Sequence, residues 1–203
     1  MDPEHSFDDL HLALARLPAG RHGLPREFVI QNQRMRVMTG MAQVVAERGY
    51  QGTSIARVAA AAAVSRRTFF ENFESKPDCF RAVYELAVDR IVEAGREAMA
   101  DANGQRLSAG LEAALRLLER QPELAQICLI ESLSAKVGGG GLEAFVQLLR
   151  DADGDADSDE TALRTVSGGL ADAARERIRN GQAAGLAELA PVAAALAARQ
   201  LRH

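Results

Sequence analysis

The feature that most constrains the fold is a pair of short helix patterns at 53–73, which reads TSIARVAAAAAVSRRTFFENF. Thr53 or Ser54 can cap the first helix, because both side chains accept hydrogen bonds from free backbone N–H groups. A turn around Val64 then leads to a second helix that starts at Ser65. The inward face of the first helix is predicted to hold four small or apolar residues, Ile55, Val58, Ala59 and Ala62. Two short helices joined by a turn with an apolar residue in it predict a helix-turn-helix.

The second short helix has the side chains that reading a DNA groove requires. Phe69 and Phe73, four residues apart, can anchor one face of it in a core. Neighbouring residues on a helix project about 100° apart, so one arginine can contact a base edge while the other contacts a phosphate. The exposed start carries hydrogen-bond donors at Ser65, Arg66, Arg67 and Thr68. The pattern predicts entry into the major groove by the N-terminal end of this helix. An ordinary helical hairpin with solvated arginines is the alternative.

Helix signals continue on both sides of this segment. A long helix is predicted from Arg26 to Arg48 and is ended by Gly49. Another is predicted from Ser75, whose side chain can cap it, to about Ala100. Further helices are predicted at 106–120, 122–135, 142–151, 161–180 and 188–201. No alternation of apolar and polar residues is long enough for a strand, so the fold class is predicted to be all-α.

The charge of the chain is unevenly distributed. The formal net charge is −4 over 203 residues, but residues 21–76 carry +5 and the rest of the chain carries −9. A basic segment beside an acidic remainder is typical of a nucleic-acid-binding head on an acidic body, although this asymmetry alone is weak support. No apolar run is long enough to span a membrane, and no signal peptide is expected, so a cytoplasmic location is predicted.

The segment from Met38 to Tyr84 also carries a longer motif without gaps. Its positions are Gly49-Tyr50, Thr53-Ser54-Ile55, Val58-Ala59, Val64-Ser65, Thr68-Phe69-Phe70 and the tail Phe73-Glu74-Ser75-Lys76-Pro77-Asp78. The motif resembles that of the TetR-type repressors, and the tail is its most specific part. The resemblance implies a homodimer in which three DNA-binding helices precede a larger, variable helical domain for ligand binding and dimerisation. It therefore implies a ligand-released repressor of a (pseudo)palindromic operator.

The resemblance also implies roles for individual residues. Base contacts are expected from Arg66, Arg67 and Thr68, and a phosphate or backbone role is expected at Phe70. Phosphate contacts are expected from Thr53, Ser54 and Lys76. The complete predicted DNA-binding set is Thr53, Ser54, Ser65, Arg66, Arg67, Thr68, Phe70, Asn72 and Lys76.

Three positions depart from the family pattern. Ala63 stands where the family usually has a glycine, so a left-handed turn would be strained there. Phe70 replaces the usual tyrosine and lacks the hydroxyl that would bond a phosphate. Asn72 replaces a second frequent aromatic residue. These changes put single phosphate contacts in doubt and leave the fold expectation intact.

The chain is thus predicted to comprise an arm at 1–25, a DNA-binding domain at 26–76 and an effector and dimer domain at 77–203. Phe145 is the only Phe or Tyr after Tyr84, which favours an aliphatic or small polar effector over a flat aromatic one. Candidate pocket residues, each of a type that more often belongs to plain core, are Phe80, Tyr84, Met99, Leu111, Leu115, Cys128, Leu133 and Phe145. The predicted dimer interface, with intrachain core as the alternative, comprises Leu163, Val166, Gly169, Leu170, Leu189, Val192 and Leu196.

Other chemistry finds little support in the sequence. The arm could reach a minor groove through Arg16, Arg21 and Arg26, or could be a disordered or surface-packed tail. The alternating aspartates at 151–159 lack the glycine and glutamate positions of a calcium loop. The glycines at 138–141 are predicted to be a linker, since no Lys-Ser/Thr follows them. No metal, cofactor or catalytic site is expected; a helical adaptor or a small-ligand-converting enzyme without DNA binding is the alternative function.

Overall fold

The computed structural model describes residues 26–102, 104–154 and 159–200. The predicted arm at 1–25 and the centre of the aspartate-rich loop lie outside the described residues. Every regular element within the described ranges is helical. The α-helices are α1 Arg26–Gly52, α2 Ile55–Ala61, α3 Arg66–Asn72, α4 Lys76–Ala100, α5 Arg106–Arg120, α6 Pro122–Ala125, α7 Ser132–Ala135, α8 Leu142–Asp153, α9 Glu160–Arg179 and α10 Ala190–Gln200. The all-α prediction is confirmed.

The contacts between residues divide the chain into two compact units, Met1–Val83 and Tyr84–His203. We call the first unit the head and the second the body. Helix α4 begins in the head and continues in the body. The predicted boundary at 76–77 between the DNA-binding domain and the effector and dimer domain stays a prediction.

The head is built on α1, whose Val37, Met41 and Val45 are fully buried. Gly40 faces the end of α2: a Cβ added there would lie 2.8 Å from the Ala62 nitrogen. The backbones of α1 and α2 therefore approach so closely that only glycine fits at this position. The predicted end of the first helix is also found, because Gly49 has a φ of 68° and breaks the helical path of α1.

The body is packed around α5, where Leu111, Leu115 and Leu118 are fully buried. The predicted helix at 122–135 contains a π-helical stretch, Gln126–Glu131, between α6 and α7. Backbone hydrogen bonds in such a stretch join residues five apart instead of four. The Leu129 carbonyl there accepts a hydrogen bond from Arg175 Nε at 2.9 Å. A contact from α9 thus supplies a donor that a local sequence pattern does not reveal.

The glycine run at 138–141, predicted to be a linker, is packed against the body. Gly138 has a φ of 66°, and a Cβ there would lie 2.3 Å from the Tyr84 ring. The Tyr84 hydroxyl donates to Glu143 Oε2 at 2.5 Å. Burial, followed by this hydrogen bond to a carboxylate, raises the pKa of Tyr84 far above its usual range. Tyr84 is therefore a neutral donor whose ring is covered by glycine backbone.

The last helix begins later than predicted. A 3-10 helix, Ala183–Leu189, precedes α10, which starts at Ala190. Pro191 explains the boundary, because a proline is favoured in the first turn of a helix and lacks the N–H that an interior position needs. No helix in the described ranges is long and apolar enough to cross a membrane.

Candidate nucleic-acid interface

Helix α3 is held by a local cap and an apolar anchor. Ser65 Oγ accepts a hydrogen bond from the Thr68 backbone nitrogen at 2.9 Å, and the two hydroxyls lie 2.9 Å apart. Phe69 is fully buried and Phe73 nearly so, with ring centroids 6.0 Å apart. The predicted start at Ser65 and the predicted anchoring face are both present. The first turn of α3 consequently points away from the core of the head.

The two arginines of α3 are exposed and differ in their contacts. Arg67 is 89% exposed, and its Nε donates to Glu71 Oε1 at 2.9 Å, one turn along the helix. Arg66 has no hydrogen bond or ion pair with any residue in the described part of the chain. An exposed ion pair such as Arg67–Glu71 contributes at most about 1 kcal/mol to the stability of the fold. Both guanidinium groups are thus available to an external acceptor.

The turn between α2 and α3 is strained and braced. Ala63 has a φ of 50°, in the left-handed region that a glycine would occupy without strain. Arg36 on α1 donates to the carbonyls of Ala62 at 2.7 Å and Ala63 at 2.8 Å. The missing family glycine therefore does not force a right-handed turn; the left-handed turn persists with alanine.

Arg34 braces the other end of α3. Its guanidinium donates to the Asn72 carbonyl at 2.8 Å and lies 4.2 Å from the centroid of the Phe73 ring. The Asn72 side chain donates to the Thr68 carbonyl at 2.8 Å, so its amide nitrogen already has a partner within the helix. Sequence reasoning missed Arg34 and Arg36 as positioning residues, because they act on residues 26 to 38 positions away. The one signal in the sequence for these two arginines is that both add to the positive charge of residues 21–76.

Two predicted phosphate ligands are engaged within the head. Lys76 Nζ donates to the carbonyls of Tyr50 at 3.0 Å and Thr53 at 3.1 Å, and lies 4.0 Å above the Tyr50 ring. Burial lowers the pKa of this ammonium group. Thr53 is buried, and its hydroxyl donates to the Gly49 carbonyl at 2.8 Å. Their phosphate contacts stay predictions, with these internal bonds as competitors.

Ser54 and Phe70 remain on the surface. Ser54 caps α2 by accepting from the Arg57 nitrogen at 3.4 Å. Phe70 is 54% exposed and lies edge-on to Phe69, with ring centroids 5.5 Å apart. The structure therefore brings together on the outer side of α3 a subset of the predicted residues, which is Ser65, Arg66, Arg67 and Phe70.

The candidate pocket residues are mostly buried side chains. Phe80 belongs to the head, where its ring lies 4.9 Å from that of Tyr50. The other seven belong to the body, and all of them are buried except Leu133. Burial raises the pKa of the Cys79 thiol to about 12 and that of Cys128 still further, so neither thiol is a nucleophile at neutral pH. Within the described residues no cluster of His, Cys, Asp and Glu could hold a metal ion.

The predicted dimer residues differ in how deeply they are buried. Leu163, Val166 and Leu170 are buried within the body itself, so the face of α9 that carries them packs against the chain's own core. Val192 and Leu196 on α10 are 63% and 49% exposed. Leu189 is half-buried and Gly169 is exposed. A Cβ added at Gly168 or Gly169 would have no neighbouring atom within 4 Å in the chain.

A capped, outward-facing basic helix held by a helix-turn-helix is the arrangement typical of DNA-binding proteins. Residues 39–83 match the family described as bacterial regulatory proteins, tetR family. The matched segment contains the helix-turn-helix and the start of α4.

Individual proteins match longer parts of the chain than the family match does. The HTH-type transcriptional activator FasR of Mycolicibacterium smegmatis is 31% identical over 108 residues, which is 52% of this chain and 49% of FasR. The match thus spans about half the length of that relative. The fatty acid degradation regulator FadR of Bacillus halodurans has a similar fold, with a TM-score of 0.65 and 20% identity over 81% of this chain and 94% of FadR.

A second FadR structure, from Bacillus subtilis, was solved in complex with stearoyl-CoA. It matches with a TM-score of 0.62 and 20% identity over 80% of this chain and 96% of that chain. At these identities the two FadR structures establish the similarity of fold alone.

The strained turn leads to a stability prediction. Ala63→Gly should raise the free energy of unfolding by about 0.5–1 kcal/mol, because relief of left-handed strain exceeds the added chain entropy. Ala60→Gly, on the exposed side of helical α2, is the matched control and should lower it by about 0.5–1 kcal/mol. Urea unfolding followed by circular dichroism measures both. Equal destabilisation by the two substitutions would contradict the left-handed assignment.

Proposed function

We propose that this chain is a ligand-released repressor that binds a (pseudo)palindromic operator as a homodimer. The observation that supports the proposal best is the geometry of α3. Its capped N-terminal turn presents Arg66 and Arg67 to solvent, while Phe69 fixes the opposite face in the core of the head. That is the arrangement in which a recognition helix contacts base edges.

The proposed dimer surface is narrower than the sequence prediction. Because Leu163, Val166 and Leu170 pack inside the body, we assign the contact to the exposed faces of α9 and α10. Val192 and Leu196 lie one turn apart and supply apolar contact, and Gly169 permits close approach of a partner helix. Two-fold packing of these faces would present two heads, which must lie about 34–36 Å apart to meet successive major grooves.

The proposed effector is an aliphatic ligand, with a long-chain acyl thioester as the first candidate. Two observations support it. The body contains a single phenylalanine, the buried Phe145, so it offers few stacking partners for a flat aromatic ligand. A structural neighbour was solved with stearoyl-CoA. The ligand would release DNA only to the extent that it binds the released state more tightly than the DNA-bound state.

Activation is the second candidate for the direction of control, because the curated relative FasR is named as an activator. Repression remains the proposal, since a dimer covering a promoter blocks polymerase by default. The proposed location is the cytoplasm, whether the chain represses or activates transcription.

Footprinting on the DNA that flanks the chain's own gene tests the proposed function. We expect protection of two half-sites one helical turn apart and loss of protection when stearoyl-CoA is added. Stearic acid, which has the same acyl chain without coenzyme A, distinguishes recognition of the acyl chain from recognition of the thioester. Transcription from the same fragment in vitro gives the sign of control. No protection at any concentration would contradict DNA binding itself.

Arginine substitutions test the assignment of α3. Arg67→Ala should weaken binding to the footprinted duplex by about 1–3 kcal/mol if its guanidinium reads a base, and random DNA much less. Arg66→Ala tests the other guanidinium in the same assay. The exposed body residue Arg116, which pairs with Glu112 one turn away as Arg67 does with Glu71, provides the control, and Arg116→Ala should change neither affinity. Equal losses on specific and random DNA would reassign both arginines to phosphate contacts.

The dimer surface makes a separate prediction. The double substitution Val192→Glu with Leu196→Glu should convert dimers to monomers, because it places two charges per protomer in an apolar contact. Light scattering after size exclusion measures the mass. Ile30→Glu, at an equally exposed apolar residue of α1, is the control and should leave the mass unchanged. A dimer that survives the double substitution would place the interface elsewhere.

A further inference from the structure

Phe70 is an apolar ring on a surface assigned to DNA. It is 54% exposed, whereas its neighbour Phe69 is fully buried. A single exposed phenylalanine is unremarkable on most surfaces. Its position makes this one informative, since Phe70 follows Arg66 by four residues and shares that residue's face of α3. Any duplex contacted by Arg66 therefore meets the Phe70 ring on the same side of the helix.

The ring is also held in place before any ligand arrives. Its edge-on contact with Phe69, at 5.5 Å between centroids and an interplanar angle of 84°, ties Phe70 to the core of the head. A ring fixed in this way loses little freedom on binding. Four residues correspond to about 6 Å along a helix axis, so the ring lies within about two base-pair steps of the group that Arg66 contacts.

The chemistry of the ring restricts what it can recognise. Phe70 has no polar atom, so it can neither bond a phosphate nor read a donor or acceptor on a base edge. The apolar group that a major groove displays is the C5-methyl group of thymine. We propose that Phe70 is a specificity-determining residue that contacts the C5-methyl group of one thymine in each half-site. This inference rests on the proposed function of α3 as the recognition helix.

Packing of the ring against a deoxyribose is the competing contact within DNA. A sugar contact would be independent of the base and insensitive to a methyl group. The two cases differ when thymine is replaced by deoxyuridine, which removes the methyl group and keeps every hydrogen bond of the base pair.

The experiment uses the full chain and a duplex selected by it from a random-sequence library. Each thymine of that duplex is replaced singly by deoxyuridine, and the Kd is measured for the wild-type chain and for Phe70→Ala. We expect one position per half-site at which replacement of thymine weakens binding by the wild-type chain about fourfold. That loss corresponds to the free energy of burying one methyl-sized group. Phe70→Ala should bind the original duplex and the duplex with deoxyuridine at that position with the same Kd.

Controls separate the alternatives. Arg66→Ala should keep its sensitivity to deoxyuridine at the same position while losing overall affinity. The proposal is overturned if no thymine replacement affects the wild type, if Phe70→Ala is affected equally, or if the selected duplex contains no thymine in its half-sites. Selection of no sequence at all would overturn the proposed function as well. Circular dichroism of Phe70→Ala checks that the head remains folded, as expected for a ring that is more than half exposed.

Discussion

The outward presentation of α3 depends on the hydrogen bonds from Arg36 to the turn that precedes it. A left-handed alanine costs about 1–2 kcal/mol relative to a right-handed one. A hydrogen bond from a charged donor contributes about 1.5–3 kcal/mol, and Arg36 makes two, at 2.7 and 2.8 Å. The brace therefore exceeds the strain at Ala63. The turn that aims the helix is consequently a property of the head as a whole, since α1 supplies the group that stabilises it.

Five cations of the head fall into two groups according to where their charged ends point. Arg34, Arg36 and Lys76 direct their charged groups at backbone carbonyls of the head and stabilise its helix ends. Arg66 and Arg67 direct theirs outward. Net charge alone does not separate these groups, so the positive charge of the segment overstates the number of cations free for phosphates.

Local features of the sequence predicted local structure well. The cap at Ser65, the stop at Gly49 and the buried Phe69 each depend on residues within one turn of helix, and all three are found. The bracing bonds could not be predicted, because they join residues far apart in sequence. The stripe at Leu163, Val166 and Leu170 illustrates a second limit. An amphipathic helix shows the same period whether its apolar face packs on its own chain or on a partner.

The outer face of α3 combines groups that favour discrimination over raw affinity. Glu71 holds Arg67 in an exposed pair, and its carboxylate would repel any phosphate brought near that face. A guanine edge offers Arg67 two acceptors and can take the place of Glu71 as its partner. A duplex without that guanine offers Arg67 only a phosphate, whose charge is unfavourable beside Glu71. Phe70 adds nothing to phosphate attraction. If α3 enters the groove as proposed, the penalty falls on sequences without the right base edges, and specificity arises from what these sequences fail to offer.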